Sequence, residues 1–187
     1  MRPITNVIGF DDAPFAREQR GDVLLVGAVC ARTRLDGVLC GRVRRDGRNA
    51  TERMVRLIRA SQFSRLVRAV LLQGIAVAGF NVVDIRKLHL TLGVPVLAVS
   101  RRRPDYPSIR QALFSRVRGA RRKWRLIQAA GEPERLGAVY VQRAGIGRED
   151  ALALIEATTL HGHLPEPLRL AHLIAGGVAT GRSRGRA

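Results

Sequence analysis

The chain has few cysteines, few aromatics and almost no lysine, and it is poor in acid. Its 187 residues include 15 Asp+Glu against 33 Lys+Arg, and the only lysines are Lys87 and Lys123. The formal net charge is +18. A chain this basic attracts polyanions, so nucleic acid is the expected partner and an acidic membrane surface a distant second. Two origins of the arginine excess stand side by side, GC-rich coding and a polyanionic partner; the electrostatics is the same under both. Cys30 and Cys40 are the only cysteines and have no histidine nearby, so a zinc site has no support. They flank a turn expected near residues 35–37, where they could face each other across a hairpin, and the expected state is two buried, reduced thiols. No run approaches the ~18 apolar residues of a membrane-spanning helix. The first ten residues are too short and too weakly charged for a signal peptide. The expectation is a cytoplasmic protein with no membrane partner. There is no P-loop and no GxGxxG, so an organic nucleotide cofactor has no support either.

What is present is globular. Hydrophobic residues make up 46% and charged residues 26%, and the length fits one domain with a real core. The expected division is a single domain over 1–178 and a basic flexible tail over 179–187, where "ATGRSRGRA" is rich in Gly and Arg. Residues 4–10, 23–31 and 37–43 read as strands, the last two joined through Asp36-Gly37, a hairpin dipeptide. "RRDGRNATERMVRLIRA" then changes period: Asn49 or Thr51 can cap, Glu52 falls in the first turn, and Met54, Leu57 and Ile58 form an apolar face. "LVRAVLLQGI" reads as a buried strand, "VDIRKLHLTLG" as a helix ending at Gly93, and "VPVLAVS" as another strand. One or two helices follow in "PDYPSIRQALFSRVRGARRKWRLIQAA", then the short strand "GAVYVQR", then helices in "REDALALIEATTL" and "EPLRLAHLIAGG". Three strands on short turns followed by alternating strand and helix give a mixed α/β sheet flanked by helices.

The chemistry-bearing residues fall near strand ends. Asp11 and Asp12 follow the first strand, Asp46 the third, Gln73-Gly74 the fourth, and Asp84 lies a turn into the next helix. Side chains alternate along a strand, so Asp11 and Asp12 point to opposite faces; only one can enter a shared site, and the other is a local cap or turn acceptor. Carboxylates at strand ends within a basic surface suit a divalent cation with oxygen ligands, which would activate water and stabilise a leaving oxygen. Asp and Gly also collect at turns for steric reasons, and that reading stands beside the first. His161 and His163 in "TLHGHLPEP" read as exposed loop residues. Arg101, Arg102 and Arg103 emerge together at a strand end, as a solvated run or as phosphate contacts. Phe80 and Asn81 could wedge into or read a base, with core packing the alternative for Phe80.

"IGFDDAPF", "AGFNVVDI", "SRRRPD", "PEPLRLAH" and "GRSRGR" together resemble an archaeal-type family of poorly characterised proteins grouped with endonuclease V and labelled endonuclease dU. The resemblance spans nearly the whole chain. A more distant likeness to endonuclease V itself rests on "GFD", "LLQGI" and "PEPLRLAH". The resemblance implies an RNase H-like fold, a mixed five-stranded sheet of order 3-2-1-4-5. It also implies Mg²⁺- or Mn²⁺-dependent hydrolysis of a phosphodiester in DNA near a deaminated base such as deoxyuridine or deoxyinosine, a repair role. Carried over residue by residue, Asp11 matches the first-strand metal ligand, and Asp46 or Glu52 the acid after the third strand. Gln73 stands where a third carboxylate is expected, and His172 matches a histidine near the site. An amide at position 73 can ligate Mg²⁺ but adds no charge. A nucleic-acid-binding protein of the same fold with weak or no catalysis is the alternative.

Overall fold

The structure is a computed structural model that describes residues 4–16 and 18–183. Its centre is strand β1 (Asn6–Asp12), which pairs antiparallel with β2 (Asp22–Ala31) and parallel with β4 (Ala69–Gln73). Strand β3 (Arg34–Arg44) lies outside β2, and β7 (Val96–Ser100) runs parallel to β4. These five strands stand in the order 3-2-1-4-5 expected from the resemblance. Two more extend the sheet: β9 (Val139–Ala144) and the short edge strand β8 (Glu134–Leu136), both antiparallel, giving β3-β2-β1-β4-β7-β9-β8. A small two-stranded unit, β5 (Ala76–Val77) with β6 (Asn81–Val82), sits between β4 and helix α2 (Ile85–Leu92).

Helices cover both faces, as the unbroken apolar sequence of β4 requires. One face packs Ile8, Phe10, Val70 and Leu72 under α1 (Ala50–Arg59) and α2. The other packs Val7, Leu71, Leu97 and Val99 under α5 (Arg148–Thr158) and α6 (Glu166–Thr180). Helices α3 (Tyr106–Arg116) and α4 (Ala120–Ala129) close a smaller apolar cluster near β6. Asp84 and Asp105 cap α2 and α3, accepting from the N–H groups of Lys87 at 2.9 Å and Ser108 at 3.2 Å. Asp84 is therefore the cap of α2.

Several local expectations are corrected. The β2–β3 turn is at Arg32–Thr33, and Asp36 is a bulge residue inside β3, where Val29 pairs with Gly37 and Cys30 with Leu35. Phe63 packs against Gly37, where a Cβ would lie 2.3 Å from its ring. Cys30 and Cys40 consequently do not face each other; Cys30 is buried, Cys40 exposed, and both are free. Asn49 precedes α1 but does not cap it, because its Oδ1 turns back to the Arg44 N–H and the Asn81 amide. Helix α6 runs to Thr180, two residues past the expected domain boundary, and stops at Gly181 in the left-handed conformation. Residues 184–187 of the basic tail expected over 179–187 lie outside the described residues. No helix among the described residues is long and apolar enough to cross a membrane.

Candidate active site at the ends of the central strands

The C-terminal ends of β1, β4 and β7 and the start of β2 lie at one edge of the sheet. Pleating assigns their side chains. A Cβ on Gly9 would fall 2.4–2.7 Å from backbone atoms of Pro167 and Leu168, so odd-numbered residues of β1 face α6. Asp11 is the next residue on that face. One turn along α6 from Leu168 stands His172. Four residues of helix advance ~6 Å and two residues of strand ~6.6 Å, so a helix in contact at Gly9 delivers residue 172 to residue 11. His172 Nδ1 and Asp11 Oδ2 are 2.8 Å apart. The Asp11 side chain is 9% exposed and that of His172 31%, so the carboxylate is buried and the imidazole partly open. Burial raises the Asp11 carboxyl above its ordinary value, and the His172 hydrogen bond opposes this.

Gln73 ends β4 on the same face, two residues after Leu71, which packs in the cluster that holds Leu168. Its Oε1 is buried and has no hydrogen-bond partner among the described residues. A buried amide oxygen left without a donor costs ~1–3 kcal/mol, so it marks a place where something else binds. Asp11 and Gln73 thus offer a carboxylate and a vacant amide oxygen to one spot.

Asp12 points to the opposite face, where its carboxylate accepts from the Ala78 N–H. Burial first, and the Asp11 charge second, push its pKa up to about 6. The adjacent acids coexist because they project to opposite faces and are tied to different elements, one to α6 and one to the β5–β6 loop.

Asp46 does not join Asp11 and Gln73. It sits at φ 50° with its Oδ1 accepting from the Phe80 N–H at 2.7 Å and its own N–H donating to Ala78 O at 2.9 Å. Arg45 Nε lies 3.5 Å from Oδ2, and Lys123 Nζ donates to the Asp46 carbonyl. The expected ligand is therefore the anchor of the 78–80 loop. Glu52, the other candidate for that role, pairs on the surface with Lys87 at 2.6 Å. Among the described residues, no three His, Cys, Asp or Glu side chains are grouped to hold a metal ion.

Asn81 is also corrected. It is fully buried; its amide donates to Arg44 O and Asn49 Oδ1, both at 2.8 Å, and its oxygen accepts from the Ala50 N–H. It joins β3 to α1 and reads nothing at the surface. Phe80 is half-buried against the α3–α4 cluster. Arg101, Arg102 and Arg103 are exposed just past β7, at the edge that carries Gln73; Arg103 lies 3.8 Å from Glu132. His161 and His163 are exposed loop residues. Sequence reasoning missed Lys123. Rarity gave no signal, because of the two lysines Lys123 is buried and Lys87 is exposed; the burial of Lys123 beneath Asp46 follows from the packing of α4.

The model of the Endonuclease dU family matches residues 3–179. The chain belongs to that family. It is 55% identical over 98% of its length to a UPF0215 protein of Deinococcus radiodurans, covering 93% of that protein. It is 43% identical over 97% of its length to one from Methanothermobacter thermautotrophicus, covering 91%. A crystal structure of a protein of unknown function from Archaeoglobus fulgidus is 30% identical, with a TM-score of 0.88 over 95% of this chain and 99% of that one. The fold of this endonuclease dU member is that of endonuclease V. The catalytic domain of the human enzyme gives a TM-score of 0.59 at 12% identity, over 93% of this chain and 82% of that one. The Ciona intestinalis enzyme, in complex with DNA containing an inosine followed by a ribo-adenosine, gives 0.57 at 12% identity, over 89% and 82%.

Proposed function

We propose that this endonuclease dU family member is a metal-dependent endonuclease that hydrolyses a phosphodiester in DNA near a deaminated base, in a repair role. The observation that supports the reading best is the buried Asp11–His172 pair beside the unpartnered Gln73 oxygen, at the strand ends of a strongly basic protein. The fold of endonuclease V and the family's description point the same way.

Asp46 is committed to the loop, so the three-ligand set expected from the sequence reduces to Asp11 and Gln73. Mg²⁺ commonly binds one or two carboxylates, keeps several waters and takes substrate phosphate oxygens. One carboxylate and one vacant amide oxygen fit such a weakly held, substrate-completed ion, with Mn²⁺ as the other candidate. When bound, the ion would supply a polarised water and charge neutralisation at the phosphate.

The chain's own residues do the rest. Asp11 fixes the His172 ring, and with the Nδ1 proton donated to Asp11, Nε2 is the nitrogen that takes or delivers a proton at the scissile oxygen. The exposed Arg101–Arg103 run holds flanking phosphates. The deciding experiment incubates the purified protein with uracil-, inosine- and undamaged DNA, with and without Mg²⁺ or Mn²⁺. Metal-dependent scission of a damaged strand supports the reading; no scission of any substrate rejects it. A second reading, a nucleic-acid-binding protein with weak or no catalysis, is favoured by the amide at 73, with no group of three His, Cys, Asp or Glu placed to hold a metal among the described residues.

A further inference from the structure

The two edges of the central sheet are finished differently. Strand β8 is three residues long, and its Glu134 is tied to Arg143 and, at 3.3 Å, to Arg148. Short, charged edges resist pairing with another chain. Strand β3 is 11 residues long, contains no proline, and pairs with β2 alone among the described residues. Its last residues are closed off by the chain that follows. The Arg42 carbonyl accepts from Arg53 Nε at 2.9 Å, the Arg44 N–H donates to Asn49 Oδ1 at 3.0 Å, and the Arg44 carbonyl accepts from the Asn81 amide at 2.8 Å. These groups point away from β2, whereas Arg45 donates back to the Gly21 carbonyl at 2.9 Å. The direction alternates along an antiparallel strand, so the N–H and C=O groups of Val38 and Cys40 also point outward. They form the open part of the edge.

The side chains beside that open stretch are apolar. Val26, Ala28 and Cys30 of β2 are buried in the cluster that α6 closes with Ala171 and Ala175. Their partners across the ladder are Cys40, Val38 and Leu35, on the same face of the sheet. Burial ends with β2: Leu35 and Val38 are each 40% exposed, and Cys40 is exposed. A single exposed apolar side chain is ordinary, but three neighbours on one strand beside open backbone groups form a surface suited to pairing. Farther along the same face, towards the end of the sheet that carries Asp11, stand Arg42 and Arg44. Both are exposed, and Arg44 makes a loose bridge to Asp22 at 4.0 Å.

We infer that the β3 edge is a docking surface for an extended acidic segment of another protein, added antiparallel as one further strand of the central sheet. Strand addition takes its affinity from main-chain hydrogen bonds and its specificity from alternate side chains. Here Val38 and Cys40 supply the main-chain bonds. Apolar residues of the segment lie against Val38 and Cys40. Acidic residues two and four positions before the one opposite Cys40 lie against Arg42 and Arg44. Charge selects this occupant. A second copy also offers a β3 edge, but the same arginines would stand on both sides of the joined ladder, and each molecule carries a net +18. Nucleic acid matches the arginines, yet it has no row of alternating N–H and C=O groups for the edge and no apolar side chains for Leu35 and Val38. The inference stands apart from the nuclease reading, since it uses none of Asp11, Gln73 or His172.

The test uses the purified full chain and a fluorescein-labelled synthetic peptide, Glu-Thr-Glu-Thr-Val-Thr-Val-Thr. Anisotropy should show saturable binding. Methylating the two Val nitrogens of the peptide leaves its charge unchanged and removes two main-chain donors, so affinity should fall about tenfold or more. Exchanging both Glu for Lys should abolish binding. On the protein, Val38→Lys alters an exposed side chain and should weaken the unmodified peptide about tenfold. Hydrogen exchange on wild type gives a second readout that needs no variant: the peptide should slow exchange of the Val38 and Cys40 N–H groups about tenfold or more, because only a paired strand protects them. No saturable binding, or equal binding of the methylated peptide, would overturn the inference, the latter by showing charge attraction alone. Sedimentation of the protein without peptide closes the remaining route: a dimer that Val38→Lys separates would assign the edge to a second copy and overturn the acidic segment as its occupant.

Discussion

Gly9→Ala tests how the fold assembles the site. The new methyl would lie 2.4 Å from the Pro167 carbonyl carbon, 2.5 Å from its oxygen and 2.7 Å from the Leu168 nitrogen. All three are backbone atoms, so no side chain can swing away. Ordinary contact begins near 3.4 Å, and α6 must therefore retreat from β1 by about 1 Å. Overpacking of this kind costs ~1–3 kcal/mol. At ~2–4 °C per kcal/mol for a domain of this size, the melting temperature should fall by roughly 2–12 °C. The functional effect should be larger. The 2.8 Å Asp11–His172 bond sits one turn along the displaced helix, and the same shift would carry it beyond ~3.5 Å, where it no longer counts as a hydrogen bond. A misplacement of ~1 Å can cost ~100-fold in rate. Calorimetry and a single-turnover cleavage assay would be run on wild type and Gly9→Ala together. Unchanged melting with an unchanged cleavage rate would refute the claim that Gly9 sets the approach of α6.

Asp11→Asn should abolish cleavage with binding retained or tightened, and Asp12→Asn should be milder; the opposite ranking in paired cleavage and binding assays would invert the assignment of faces. Asp12 has a folded pKa of about 6, above the ~3.9 of an unfolded aspartate. The folded state therefore binds more protons between pH 4 and 6, and this residue makes stability fall as pH rises through that window. Denaturant melts at pH 4, 5, 6 and 7 should show that fall, and Asp12→Asn should flatten it. Gln73→Asp restores a charge one methylene shorter and should lower the metal concentration for half-maximal cleavage; a titration in which it harms substrate preference without helping metal use would assign Gln73 to the base instead. Replacing Arg101, Arg102 and Arg103 together with Ala should flatten the slope of log K against log salt by up to about three units, and an unchanged slope would place the run away from nucleic acid.

The sequence by itself determined the class of fold and the end of the sheet that matters. Short-range signals carried this: the apolar runs of β4 and β7, the change of period at α1, and acids and glycines at strand ends. Alternation alone separated Asp11 from Asp12. What each side chain meets was decided by contacts between residues far apart in the chain, which no local pattern encodes. Asp11 and His172 are 161 residues apart and meet because Gly9 lets α6 approach. Asp46 has the sequence signature of a metal ligand, yet its carboxylate is bound by Phe80. Asn81 resembled a base reader and is fully buried, joining β3 to α1. The hairpin dipeptide Asp36-Gly37 lies at a bulge inside β3, with Phe63 packed over Gly37. Gln142 carries no motif at all, and the direction of its buried amide is set by the Gly131 carbonyl, a contact that exists only once β9 and the end of α4 are packed together.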